Sequence, residues 1–166
     1  MLYFAYGSNM SRPRLEARVP SARFVTTARL DGHRLTFHKV GADGSGKCDA
    51  YATGDPAHCV LGVVFDIAAA EKRALDRIEG LGVGYVEKVV RLLDADGASI
   101  EAFLYSAIHI DATLQPFGWY KAHVLAGART HGLPADYVRW IESVPACDDP
   151  DLERAQRELA IYRVLD

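Results

Sequence analysis

The chain has 166 residues, of which 49% are hydrophobic and 25% charged. That is the size and balance of one folded domain spanning 1–166, and it excludes a disordered or collagen-like polymer. Nineteen lysines and arginines against twenty-two acids give a formal charge of −3, without the basic excess of a phosphate-backbone reader, so no nucleic-acid partner is expected.

Leu2–Tyr6 is a short apolar and aromatic run that predicts a buried strand, ended at once by Gly7-Ser8-Asn9. Ser11 is placed to cap a short helix with Pro13 in its first turn, running to about Arg18 and closed by Pro20. Phe24–Leu30 and Arg34–Val40 are β-prone, and Asp31-Gly32-His33 between them predicts a hairpin. Gly41–Gly46 reads as a mobile loop, followed by strands near Ala50–Thr53 and Val60–Ile67. In Ala68–Glu79 the apolar Ala70, Ala74, Leu75 and Ile78 share one helical face, and Gly80 stops the helix. Val86–Leu93 and Ile100–Tyr105, joined by Asp94–Gly97, predict a second hairpin. Three helices complete the chain, at Gly118–His131, Pro134–Ser143 and Pro150–Leu165, the last capped by Asp149. Its stripe of Leu152, Ala155, Leu159 and Tyr162 is expected to pack on the same domain. Strands early and helices late, without βαβ alternation, indicate an α+β fold.

Several chemistries are disfavoured. Gly41–Cys48 nearly spells a phosphate loop, but Cys48 replaces the magnesium-binding hydroxyl and a strand, not a helix, follows. Gly80, Gly82 and Gly84 end a helix and enter a strand, the reverse of a dinucleotide fingerprint. The six histidines form no metal-ligand spacing, and His109 with Asp111 reads as a solvated loop pair, so no metal is expected. Cys48, Cys59 and Cys147 are odd in number and widely spaced, which argues against a disulfide framework and fits a cytoplasmic setting. The apolar start has no basic flank, and the stretch Cys59–Ala70 falls short of the ~20 residues a bilayer needs, so neither a signal peptide nor a membrane partner is expected.

Two places carry chemistry, each with two readings. A strand ending in Tyr6-Gly7-Ser8-Asn9 exposes a row of backbone N–H groups suited to an anionic oxygen, or is only a turn whose Ser8 or Asn9 caps a helix. Glu79, at the edge of an apolar stripe with Arg77 as its only cation within four positions, is either a partly desolvated carboxyl with a raised pKa suited to proton transfer or an exposed helix-end acid.

Leu2-Tyr-Phe-Ala-Tyr-Gly-Ser-Asn-Met10, Leu75-Asp-Arg-Ile-Glu79-Gly80 with Gly84-Tyr85-Val86, and Tyr120-Lys121 leading to Gly127-Ala128 and Gly132-Leu133-Pro134 together resemble the γ-glutamylcyclotransferase family of the AIG2-like superfamily. The match extends over nearly the whole chain. It implies a compact β-barrel with flanking helices and a cavity floored by the Y-G-S-N turn. It also implies an enzyme that converts a γ-glutamyl amino acid or amine to 5-oxoproline and a free amine, without a cofactor, as a monomer or homodimer. On this resemblance Glu79 is the general acid/base. Tyr3, Phe4, Ala5, Tyr6, Gly7, Ser8 and Asn9 hold substrate together with Tyr85 and Tyr120. The resemblance lapses at Gly41–Cys48, which leaves the departing group open, glutathione included. Two other readings are a non-catalytic ligand-binding module of the same fold and an acyl-enzyme mechanism on Ser8; the latter lacks a nucleophile-elbow motif.

Overall fold

In the computed structural model, which describes residues 1–162, the apolar N-terminal run becomes a largely buried strand. This strand, β1 (Leu2–Ala5), pairs antiparallel with β5 (Cys59–Asp66) from Leu2↔Asp66 to Ala5↔Val63. It ends one residue earlier than expected, releasing Tyr6 from the ladder. The other edge of β5 pairs with β2 (Arg23–Asp31), and β2 meets β6 (Tyr85–Asp94) at Ala28↔Asp94 and Arg29↔Leu93. The long hairpin of β6 with β7 (Ser99–Ala107) then returns the chain to β1, where Tyr3 and Phe103 pair in parallel and close the barrel. The architecture is α+β, a closed five-stranded mixed barrel with helices around it.

The expected hairpin at Asp31-Gly32-His33 is absent. β3 (His33–Val40) follows β2 after one residue yet pairs with β4 (Gly46–Ala52) in a separate two-stranded sheet. Both edges of β2 are already taken by β5 and β6, so no edge remains for β3. Gly32 instead donates to His58 O and accepts from Thr53 and Gly54, tying the corner to the β4–β5 connection. The glycine-rich stretch expected as a mobile loop is closed on itself. Gly41 N–H donates to Ser45 O, Lys47 Nζ binds the Asp43 carboxylate at 2.7 Å, and β4 already begins at Gly46.

Helix α1 (Arg12–Glu16) is shorter than expected, and Ser11 at its N-terminus makes no side-chain cap; its hydroxyl lies 2.7 Å from that of Tyr162. Helix α2 (Ala69–Glu79) stops where expected, at Gly80 in the left-handed conformation (φ 70°) that a glycine adopts without steric cost. Helices α3 (Gly118–Thr130), α4 (Ala135–Ser143) and α5 (Leu152–Ala160) follow. Asp151, not Asp149, caps α5 by accepting from Arg154 N–H. Asp149 is buried and holds Trp119 Nε1 at 2.7 Å and the Arg154 guanidinium, so its carboxylate is already engaged. The segment 163–165 of the expected last helix lies outside the described residues. Ala155 and Leu159 pack on the core as expected, whereas Leu152 is exposed.

Phe4, Phe65, Leu75, Leu92 and Leu104 are fully buried, each stabilising the fold by roughly 1.5–3 kcal/mol relative to exposure. None of the described helices is long and apolar enough to cross a membrane.

Helices α1, α3 and α5 meet at a polar knot. Arg14 and Glu158 form an ion pair against the fully buried His123, whose Nδ1 lies 2.7 Å from the Tyr162 hydroxyl. The hydrogen bond to His123 and the charge of Arg14 hold the Glu158 carboxyl at about 2, below its ordinary 4.5. A depressed carboxyl contributes stability above the unfolded value, and that contribution is lost as pH falls through the folded one. Glu158→Gln is therefore expected to lower Tm at pH 7 and to shrink the further drop between about pH 4.5 and pH 2. Thermal melts across that range check it; parallel curves for parent and variant would contradict it.

Candidate active site

Six segments converge at the end of β1 to enclose a hollow of about 290 Å³, counted to its open mouth. Tyr3 comes from β1, and Tyr6, Gly7, Ser8 and Asn9 from the turn after it, in which Ser8–Met10 form one turn of 3-10 helix. Cys48 comes from β4, Glu79 from the last turn of α2, Tyr85 from the start of β6, Tyr105 from β7 and Tyr120 from α3. The turn is pressed into place from behind. A Cβ on Gly127 of α3 would lie 2.4 Å from Met10, so only a glycine lets the helix approach so closely.

The carboxylate of Glu79 is 15% exposed and fixed through one oxygen. Oε1 accepts from Asn9 Nδ2 at 2.9 Å and from Arg18 at 3.0 Å, while Oε2 takes no hydrogen bond among the described residues. Arg18 also donates to Asn9 Oδ1 at 2.9 Å, so the three side chains form a closed triangle. Arg77 is the only cation within four positions of Glu79 in sequence, but the cation that pairs with it in space is Arg18. Arg18 is remote in sequence, and the turn after α1 brings it to Glu79.

The tyrosines are held by hydrogen bonds to the frame. Tyr3 Oη accepts from Asn9 Nδ2, Tyr6 donates to Tyr105 O, Tyr85 donates to Cys48 O at 2.9 Å, and Tyr120 Oη accepts from Cys48 N–H at 3.0 Å. Burial pushes the phenols of Tyr3, Tyr6, Tyr85 and Tyr120 above their ordinary value, so they stay neutral. Burial likewise pushes the Cys48 thiol up to about 12, which removes it as a thiolate nucleophile near neutral pH. No backbone hydrogen bond of the described residues uses the N–H groups of Gly7, Ser8 or Asn9, which border the hollow.

Of the nine residues expected to hold substrate, the structure brings Tyr3, Tyr6, Gly7, Ser8, Asn9, Tyr85 and Tyr120 to the hollow with Glu79. Phe4 and Ala5 do not line it. Both are buried in the barrel core, where Phe4 packs on the face of Gly62. Arg18, Cys48 and Tyr105 were not expected. Only Tyr105 had a signal, the period-2 spacing that sets Phe103 and Tyr105 on one strand face. Ser8 makes no hydrogen bond to a histidine among the described residues, and no group of three or more metal-ligating side chains occurs among them.

The chain is similar to known proteins over most of its length. The model of the AIG2-like family matches residues 59–141. The γ-glutamylcyclotransferase of Bos taurus is 32% identical over 151 residues, covering 89% of this chain and 80% of the bovine one. That of Homo sapiens is 31% identical over 155 residues with the same coverage. A solved γ-glutamyl cyclotransferase superposes with a TM-score of 0.86 at 28% identity over 98% of both chains.

Proposed function

Since the chain belongs to the γ-glutamylcyclotransferase family of AIG2-like enzymes, we propose that the hollow binds the γ-glutamyl unit of a small amide and closes it to 5-oxoproline with Glu79 as general acid and base. The observation that carries this reading is the carboxylate anchored through Oε1 by Asn9 and Arg18, with Oε2 left for the substrate.

The nucleophile is the substrate's own α-amine. Forming a five-membered ring is intramolecular, so the protein's work is to curl the glutamyl arm and to move protons. At neutral pH that amine is an ammonium ion and has no lone pair for attack. Glu79 Oε2 takes its proton, and the freed amine adds to the γ-carbonyl carbon. The resulting tetrahedral intermediate carries an oxyanion. The carbon–nitrogen bond to the departing group then breaks as that nitrogen is protonated. Over the cycle two protons leave the α-nitrogen and two reach the departing nitrogen, while Glu79 begins and ends as a carboxylate.

The N–H groups of Gly7, Ser8 and Asn9 offer preorganised donors for one anionic oxygen, either the oxyanion or the glutamyl α-carboxylate. The neutral hydroxyls of Tyr3, Tyr85 and Tyr120 define the walls around the folded arm. Purified protein incubated with γ-glutamyl-alanine is expected to release 5-oxoproline and alanine in equal amounts, measured by chromatography. Release of free glutamate instead would point to hydrolysis and defeat the cyclisation.

A further inference from the structure

Beyond Glu79 and Tyr85 the hollow opens into a wider cleft of about 1350 Å³, counted out to open solvent, which shares Ser8, Glu79, Tyr85 and Tyr120 with the hollow. Arg14, Arg18, Lys39, Lys47 and Arg77 line it, against the carboxylates of Asp43 and Glu79. Most of these cations are engaged. Arg14 pairs with Glu158, Arg18 with Glu79, and Lys47 with Asp43. Arg77 stands exposed at the rim.

Lys39 differs from all of them. Its residue is only 8% exposed, and Nζ lies 4.6 Å from the centre of the Tyr85 ring. It sits so close to Gly84 that a Cβ there would be 2.8 Å from it. Among the described residues it has no ion pair and no hydrogen bond. Burial pulls its ammonium below the ordinary value, and Glu79 and Asp43, beyond ion-pair distance, pull it back. The ammonium meets the open cleft and has no protein anion within ion-pair distance among the described residues, so a ligand carboxylate there would gain a charge-assisted contact. The same cleft carries exposed apolar side chains, Val40, Ile78 and Val83, the last 74% exposed. Exposed apolar groups beside a cation that no protein anion pairs suit a ligand with one carboxylate and one aliphatic arm.

Resting on the γ-glutamyl reading above, we propose that this cleft is the subsite of the departing amino acid, with Lys39 Nζ holding its carboxylate and Val40, Ile78 and Val83 receiving its side chain. The preferred substrates are then γ-glutamyl derivatives of branched aliphatic amino acids. The placement suits the covalent geometry. Tyr85 borders both chambers, and the carboxylate carbon of the departing residue is two bonds from the scissile nitrogen, at the boundary where Lys39 stands.

The test compares kcat/KM for γ-glutamyl-leucine, γ-glutamyl-leucinamide and γ-glutamyl-alanine in the parent, Lys39→Met, Lys39→Arg and Val83→Ser proteins. In the parent, the acid is expected to exceed the amide about tenfold, the scale of a charge-assisted contact, and leucine to exceed alanine about fivefold, the scale of a partly covered side chain. Lys39→Met should reduce the acid-over-amide ratio to below about twofold through KM, and Lys39→Arg should restore most of it. Val83→Ser should narrow the leucine-over-alanine ratio. Equal turnover of acid and amide by the parent protein overturns the carboxylate site whatever the variants do, and equal turnover of leucine and alanine overturns the aliphatic wall. Absence of 5-oxoproline from every γ-glutamyl compound would overturn the underlying reading and this inference with it.

Discussion

Glu79→Gln is expected to reduce kcat for 5-oxoproline formation by about 10²–10⁴-fold, the range that a positioned acid–base group contributes, with KM changed far less. The substitution is nearly isosteric, and the amide oxygen can still accept from Asn9 Nδ2 and Arg18, which now hold Oε1 at 2.9 and 3.0 Å. What disappears is the ability to take a proton at Oε2. Arg18 keeps Asn9 Oδ1 as an acceptor, so the triangle loosens without falling apart. Chromatographic assay of 5-oxoproline together with a thermal melt separates the two effects. A folded variant that retains more than a tenth of the parent kcat would remove Glu79 from the proton path.

Gly7→Ala is expected to lower stability by about 1–3 kcal/mol, as overpacking of a filled site does, and to depress kcat/KM by about 10² or more, as misplacing a positioned substrate does. The obstacle at Gly7 is room. An added Cβ would lie 2.9 Å from Cys48 Cβ and 3.3 Å from both Cys48 Sγ and the Tyr120 hydroxyl. Cys48 also supplies the N–H and C=O that hold Tyr120 and Tyr85, so pushing β4 away disturbs two walls of the site at once. A second change, Cys48→Gly, vacates the contested space and should recover part of the lost activity. Denaturant titration and initial rates of the single and double variants test this; a single variant as stable and active as the parent would show that the turn has slack.

What could be read in the sequence was what depends on neighbours along the chain. The strand leading into Tyr6-Gly7-Ser8-Asn9 and the helix delivering Glu79 to Gly80 are both local patterns; the helix stops where expected and the strand ends one residue early. The hairpin at Gly32 failed because a turn signal records a change of direction and not which edge is vacant; β5 and β6 had claimed both sides of β2. Asp149 offered itself as a helix cap by position, but the buried indole N–H of Trp119 and the guanidinium of Arg154 drew it inward, and Asp151 took its place. Arg18 lay beyond any spacing rule, because its meeting with Glu79 depends on how α1 and α2 are set around the barrel. Phe4 and Ala5 show the converse: a contiguous motif drew in two residues whose side chains serve the core.

The barrel is fastened where Tyr3 and Phe103 lie side by side in parallel strands, and Tyr3 also forms part of the wall of the hollow. One residue thus serves as rivet for the staves and as lining for the vessel. A substitution at that position would disturb both at once, whereas changes in ligand preference have freer play at the exposed Val40, Ile78 and Val83 of the cleft.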